Sequence, residues 1–274
     1  MPSVTPDTPI LELTRTVRGC MSLTGDDWSI HPRHNTFSGW PSMAGLGMYI
    51  ELDVTVRGRP DPKTGYLIGI QHLDAMVRDH AWPILARAIA DERTVQPERL
   101  LHTLLHAMQS HAPCPLVAVA WQLTPFYRLT AEADHMNAVT YRQQFDFAAA
   151  HRLHSDELSD AENVDVFGKC NNRHGHGHNY RLEVDVSAEI SDAADGFRLP
   201  VLERIVKAEV VDRFDHTNLN LDVDDFADVI PSVEHIARIC YERLREPLDD
   251  AGGRLRQVTV WETEKTCCTY PAPS

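Results

Sequence analysis

A chain of 274 residues, 43% hydrophobic and 24% charged, has the composition of a soluble globular protein, with room for one large domain or two of ordinary size. Its formal net charge of -14 argues against nucleic acid or an anionic membrane as the main partner, because phosphate binding needs clustered Lys and Arg. The six cysteines lack the spacing of a disulfide framework, MPSVTPDTPILELTR has neither part of a signal peptide, and no run approaches the roughly 18 to 20 apolar residues that span a bilayer, so a reducing cytoplasm is expected.

In the first half, LELTRTVRGC and GMYIELDVTV read as strands, DPKTGY as a turn, the segments at 71 to 90 and 96 to 109 as helices, and LVAVAWQLT as a strand. AEADHMNAVT, at 131 to 140, leads into a second half that repeats this order. There VTYRQQFDFAAAH is a strand, and YRLEVDV alternates Tyr180, Leu182, Val184 and Val186 against Arg181, Glu183 and Asp185, the pattern of a half-buried strand. After the turn DAADG, Leu202, Ile205, Val206, Val210 and Phe214 recur at helical spacing, ending near Asp215 and His216. Pro231 and Ser232 open a second helix, with Val233, Ile236, Ala237, Cys240 and Leu244 on one face. Gly252-Gly253 mark its exit, and the strand RQVTVWETE and a short partner, TCCTY, finish the chain.

ELDV at 51 to 54 stands against EVDV at 183 to 186, about 132 residues on, a coarse internal repeat that predicts two similar domains in tandem, 1–134 and 135–274. The repeat is uneven in its chemistry. HGHN at 176 to 179 faces AGLG at 44 to 47, and Glu262 after Trp261 faces Gln122 after Trp121, so the first domain keeps the frame and lacks the ligands.

The chemistry concentrates in CNNRHGHGHNY, residues 170 to 180. In extended chain His174, His176 and His178 share a face, and glycines between them let an ion approach the backbone. Neutral imidazole is the commonest zinc ligand, and a catalytic zinc usually has three protein ligands with one position open. His176 and His178 run directly into the strand and are preferred to His174, with His151, in the context HRLHS, as the third ligand. Cys170 lies between Lys169 and Arg173 in a polar segment, where nearby cations favour a thiolate. Asp215 can fix the tautomer of adjacent His216 and poise it for proton transfer, although a histidine that complements a helix C-terminus is an equal reading. Glu262 shares a face with Val258 and Val260, where a carboxylate must find a donor; a pterin or guanine edge would supply two N–H groups. Glu234, in the first turn of the second helix, could assist that ligand or favour the helix dipole. His102 and His106 are read as a surface pair, Cys240 as inert core, Cys267-Cys268 as packing, and Asp79-His80 as part of the first helix.

The segments FAAAHRL, FGKCNNxHGHGHNY, FDHTNLNLDV, PSVEHIA and WETE, in this order, resemble the 6-pyruvoyl-tetrahydropterin synthase family, which includes the 6-carboxytetrahydropterin synthases. The resemblance covers about 130 residues. It implies an α+β T-fold, an antiparallel four-stranded sheet with two helices packed on one face, assembled into a homo-oligomeric ring with active sites between subunits. It further implies Zn2+ on His151, His176 and His178, Cys170 as general base, and Asp215 with His216 as proton relay. Glu262, with Ser232 and Glu234 nearby, would hold the pterin of a 7,8-dihydroneopterin triphosphate substrate. Lys169, Arg173 and Arg181 are candidates for its triphosphate. Pyruvoyl-forming members usually place five residues between the cysteine and HGH and many carboxy-forming members three; HGHGH satisfies both counts, so the product stays open. A T-fold hydrolase of purine nucleotides and a non-catalytic zinc or pterin-binding module are the competing readings.

Overall fold

Alternating apolar residues build the strands of both halves, and helices with one apolar face cover them. The computed structural model describes residues 9–24, 27–30, 47–90, 96–135, 137–191, 193 and 196–272. It divides into two units, Met1–Val139 and Thr140–Ser274. The expected boundary at 134/135 lies a few residues earlier, in the short connection before the first strand of the second unit.

The first unit contains strands β1 (Leu11–Thr24), β2 (Asp27–Ile30) and β3 (Gly47–Gly58), helices α1 (Ile70–Met76), α2 (Trp82–Ala90) and α3 (Pro97–Gln109), and strands β4 (Leu116–Thr124) and β5 (Tyr127–Glu132). Its antiparallel sheet runs β5-β4-β3-β1-β2. It therefore has five strands where four were expected, because β1 continues past the predicted Cys20 and folds back into β2. Ile50, Leu52, Val54 and Val56 alternate toward a core completed by Leu73, Leu85, Leu101, Leu104, Leu105 and Met108. His102 corrects its reading as a surface residue: it is buried, and its Nε2 lies 2.9 Å from the Ala138 carbonyl, whereas His106 is exposed.

The second unit contains β6 (Ala138–His151), which begins at the boundary, then α4 (Asp160–Phe167), β7 (His176–Glu189), α5 (Leu199–Val206), α6 (Asp212–Phe214), β8 (Thr217–Asn218), α7 (Leu219–Asp222), α8 (Val233–Asp250), β9 (Gly253–Thr263) and β10 (Thr266–Tyr270). Its sheet order is β10-β9-β7-β6, and two-residue β8 adds in parallel to β6. Tyr180, Leu182, Val184, Val186, Val258 and Val260 face a core with Leu202, Val206, Val210, Phe214, Ile236, Cys240 and Leu244. The opposite face is polar: Arg142 pairs with Asp185 at 2.6 Å and with Glu183 at 3.4 Å. Cys240 is buried as expected, its thiol pushed up by desolvation, but Cys267 is exposed, which corrects the packing assigned to it.

Both units interrupt the first core helix with a π-turn, Val77–Ala81 and Lys207–Val211, so Asp79 and His80 sit in such a turn rather than in regular helix. The ladders also sharpen the repeat. Buried Ile50, Leu52, Val54 and Val56 correspond to buried Tyr180, Leu182, Val184 and Val186, and each ladder shifts register just before the last of these four, at Thr55/Val56 and at Asp185/Val186. This displaces the ELDV/EVDV alignment by two residues. Trp121, opposite Leu52, then answers to Val260, opposite Leu182, so Gln122 is not the counterpart of Glu262. Met48 answers to His178, and Ala44–Leu46 of AGLG lie outside the described residues.

Candidate active site

Three neighbouring strands, β9, β7 and β6, end together, and on each the core-facing stripe changes from apolar to polar at its last members. On β6 the buried series Phe147, Ala149 ends in His151; on β7, Leu182 and Tyr180 are preceded by His178 and His176; on β9, Val258 and Val260 are followed by Glu262. Strand alternation alone therefore puts three imidazoles and a carboxylate on one side of the sheet.

His151 is fully buried, and its Nδ1 lies 2.7 Å from the Pro231 carbonyl just before α8. A carbonyl only accepts, so Nδ1 carries the proton and Nε2 presents its lone pair to the cluster. That Nε2 lies 3.2 Å from His176 Nε2, and one ligand atom from each of His151, His176 and His178 falls within 4.8 Å of the others. His178 Nε2 is buried without a hydrogen-bond partner. Burial pushes the His151 and His178 pKa values down, keeping both rings neutral. Glu262 Oε1 lies 3.5 Å from His151 Nε2 and 3.8 Å from His178 Nε2. Converging neutral imidazoles, a buried nitrogen with nothing to bond and an adjacent negative charge fit a zinc ion, whose ~2.0–2.1 Å bonds to nitrogen place tetrahedral ligands about 3.4 Å apart.

The glycines of HGHGH do different work. Gly175 has φ +72°, and a Cβ there would come to 3.0 Å of the His151 carbonyl oxygen, so the turn into β7 needs glycine. At Gly177 a Cβ would meet only the Ala149 carbonyl oxygen, at 3.5 Å, and strand alternation aims it away from the imidazoles. Gly177 therefore gives the ion no approach to the backbone, contrary to the sequence-based expectation. His174 is exposed in the turn, outside the cluster.

Cys170 sits in a 3-10 turn, Gly168–Asn171, after α4. A capping box between Ser159 and Glu162 starts that helix, and Gly168, at φ 52°, ends it. The Leu153 N–H donates to the Cys170 carbonyl at 2.9 Å, which ties the turn to the chain leaving His151. Cys170, His176 and His178 line one cavity of about 740 Å³. Asp215 and His216 lie elsewhere around the sheet end. One Asp215 oxygen accepts from the Ala148 N–H at 2.7 Å, and the other lies 2.7 Å from His216 Nδ1. Those bonds hold the Asp215 carboxyl below the usual carboxylate range, the backbone N–H first. His216 itself has φ 60° and an exposed ring. Of these residues only His178 lines both the Cys170 cavity and the neighbouring one that His216 lines. Ser232 is occupied as the cap of α8, accepting from the His235 N–H at 3.4 Å. Glu234 is exposed, its carboxyl held low by its own backbone N–H and by Ser232. What this turn gives the cluster is the Pro231 carbonyl.

Sequence reasoning missed the residues that support these groups. Tyr180, fully buried, places its hydroxyl 3.3 Å from His151 Nδ1, and its place on the His176–His178 face was the available signal. Asn163, also fully buried, bonds the Ser155, Leu158 and Ser159 carbonyls and accepts from the Ser155 N–H. Asn220 clamps the backbone of Arg152 on both sides, at 2.7 and 3.0 Å.

A family model described as 6-pyruvoyl tetrahydropterin synthase matches residues 140–273. A curated 6-pyruvoyl tetrahydrobiopterin synthase from Drosophila melanogaster is 42% identical over 129 residues, 46% of this chain and 76% of that protein. The Homo sapiens protein of the same name is 41% identical over 130 residues, 47% of this chain and 88% of its own. A 6-carboxy-5,6,7,8-tetrahydropterin synthase from Haemophilus influenzae is 24% identical over 149 residues, 47% of this chain and 95% of that protein.

Proposed function

The chain belongs to the 6-pyruvoyl tetrahydropterin synthase family and is a lyase of pterin synthesis, and on that premise we propose that its second unit binds zinc and acts on 7,8-dihydroneopterin triphosphate with loss of triphosphate. The observation that carries this is the convergence of His151, His176 and His178 beside the cavity that Cys170 lines. Zinc on these three nitrogens would supply Lewis acidity to the substrate's side-chain hydroxyls. Cys170 takes and returns the proton of the adjoining C–H bond, and Asp215 orients His216 for a further transfer. Glu262 offers its carboxylate to the N–H edge of the pterin, with Ser232 and Glu234 at the margin. The higher identity to proteins named for the pyruvoyl product supports that product over the carboxy one.

The first unit reads as a second, degenerate T-fold without the zinc ligands. The shared strand order, register shift and interrupted helix support a tandem of two such domains. Chains of this kind associate into a T-fold ring, and the exposed His216 ring is suited to a site completed by a neighbouring copy.

Zinc-loaded protein incubated with dihydroneopterin triphosphate should yield an intact 6-pyruvoyl side chain by mass spectrometry, whereas acetaldehyde release would mark the carboxy product. Cys170→Ala should bind zinc normally and lose about 10²- to 10⁴-fold in turnover, the range for a positioned general base. Unchanged substrate with zinc bound would leave a binding module, and full activity in Cys170→Ala would remove the base.

A further inference from the structure

A triphosphate carries several negative charges into a protein whose own formal charge is -14, so its seat must be locally cationic. The sequence offers Lys169, Arg173 and Arg181 beside the HGHGH run, and the structure separates them. Arg181 follows Tyr180 on β7, so alternation turns it away from the imidazole face; its guanidinium lies over the Trp261 ring, 4.4 Å from the centroid. Arg173 lines a different cavity, of about 850 Å³, in which Arg152 is joined by Asp156, Glu157 and Asp228. Two guanidinium groups against three carboxylates make a poor seat for a polyanion. Lys169 lines the cavity of Cys170, His176 and His178, and the remaining polar side chains there are the neutral amides of Asn171 and Asn172. It is the one cation lining that cavity among the described residues. Lys169 is exposed on a short turn, so its flexible ammonium can follow a phosphate chain without leaving a buried partner unpaired.

We infer that Lys169 is the triphosphate-recognising residue of this site, holding the phosphate chain on the Cys170 side of the imidazole cluster while the pterin is held from the Glu262 side. The assignment rests on the reading of the second unit as a pterin-triphosphate lyase. It makes Lys169 a specificity residue, which distinguishes the phosphorylated substrate from the same pterin without phosphate.

Calorimetric titration of the zinc-loaded full chain with 7,8-dihydroneopterin and with its triphosphate tests this, for wild type, Lys169→Gln and Lys169→Arg. Loss of a charge-assisted contact should weaken the triphosphate by roughly tenfold to a hundredfold in Lys169→Gln. Binding of the unphosphorylated pterin should stay unchanged, and Lys169→Arg should recover most of the loss. In turnover, KM should rise more than kcat falls. Equal triphosphate affinity in wild type and Lys169→Gln would overturn the inference. So would equal weakening of both ligands, which would assign Lys169 to the turn or to the thiol. Failure of wild type to bind either ligand would instead overturn the reading of the site, and this inference with it.

Discussion

His151 donates from Nδ1 to the Pro231 carbonyl and is enclosed on all sides, so the same contacts that fix its tautomer also hold it neutral. Its pKa and that of His178 are depressed by burial, while in the unfolded chain both return to about 6.5. Below that value the unfolded state binds protons that the folded state resists, so metal-free protein should lose stability as the pH falls from about 7 to 5. Asp215 and Glu234, whose folded pKa values are also lowered, act in the same sense but in a lower window: they contribute stability above about 4 and lose it only at lower pH. Urea unfolding across the pH range should therefore show a midpoint that declines from neutral to mildly acidic conditions. In His151→Gln the decline should be shallower; an unchanged slope would assign it to other groups. Zinc should raise the midpoint near neutral pH and leave the decline at least as steep, since the metal-bound folded state takes up no protons on these rings while the unfolded state still does.

At the scale of elements, β7 carries the site by continuing a core strand two residues pairs beyond Tyr180, and Gly175 is what lets it begin there. Gly175→Ala should cost about 1–3 kcal/mol in urea unfolding, from a left-handed backbone and a close approach to the His151 carbonyl, and should weaken zinc binding measured by chelator competition. Gly177→Ala should leave zinc affinity near wild type; equal effects of the two would mean that the turn does not position the ligands. The strands of the second unit and the long helix α8 were legible because period 2 and period 3.6 are written plainly in YRLEVDV and in Val233, Ile236, Ala237, Cys240 and Leu244. Helix α4 was not, because it has no apolar stripe: Val164 and Val166 are exposed, and the helix is held by its capping box and the buried amide of Asn163. S-x-x-E at Ser159 to Glu162 was its one readable sign. Strand β5 was readable in the alternation of buried Tyr127, Leu129 and Ala131, and only its last two residues fall in the connection expected at 131 to 140. The π-turns are set by backbone geometry, which residue patterns do not encode, whereas the contact of Asp215 with His216 was readable from their adjacency.

Over the whole molecule, one of two units holds the histidine cluster. Among the described residues the only other grouping of metal-capable side chains is Glu132, Asp134 and His135, with Asp134 and His135 exposed. Purified protein dialysed against limiting zinc should therefore retain one equivalent per chain by elemental analysis, and His176→Ala should reduce it to a small fraction; two tight equivalents would give the first unit a site of its own. None of the six cysteines, all of them among the described residues, is paired in a disulfide, and no helix among the described residues is long and apolar enough to cross a membrane. The division between sheet and loop has a further consequence. The chain leaves the sheet after His151 and re-enters it at His176, and a Cβ added at Gly175 would come to 3.0 Å of the His151 carbonyl oxygen, so the excursion closes on itself. The three clustered imidazoles belong to the sheet, and Cys170, Lys169 and the buried amide of Asn163 belong to the excursion. Cys170 thus sits in an insertion between two strand ends: exchanging residues 152–174 for another segment should replace the thiol while the three imidazoles and the Asp215–His216 pair keep their places.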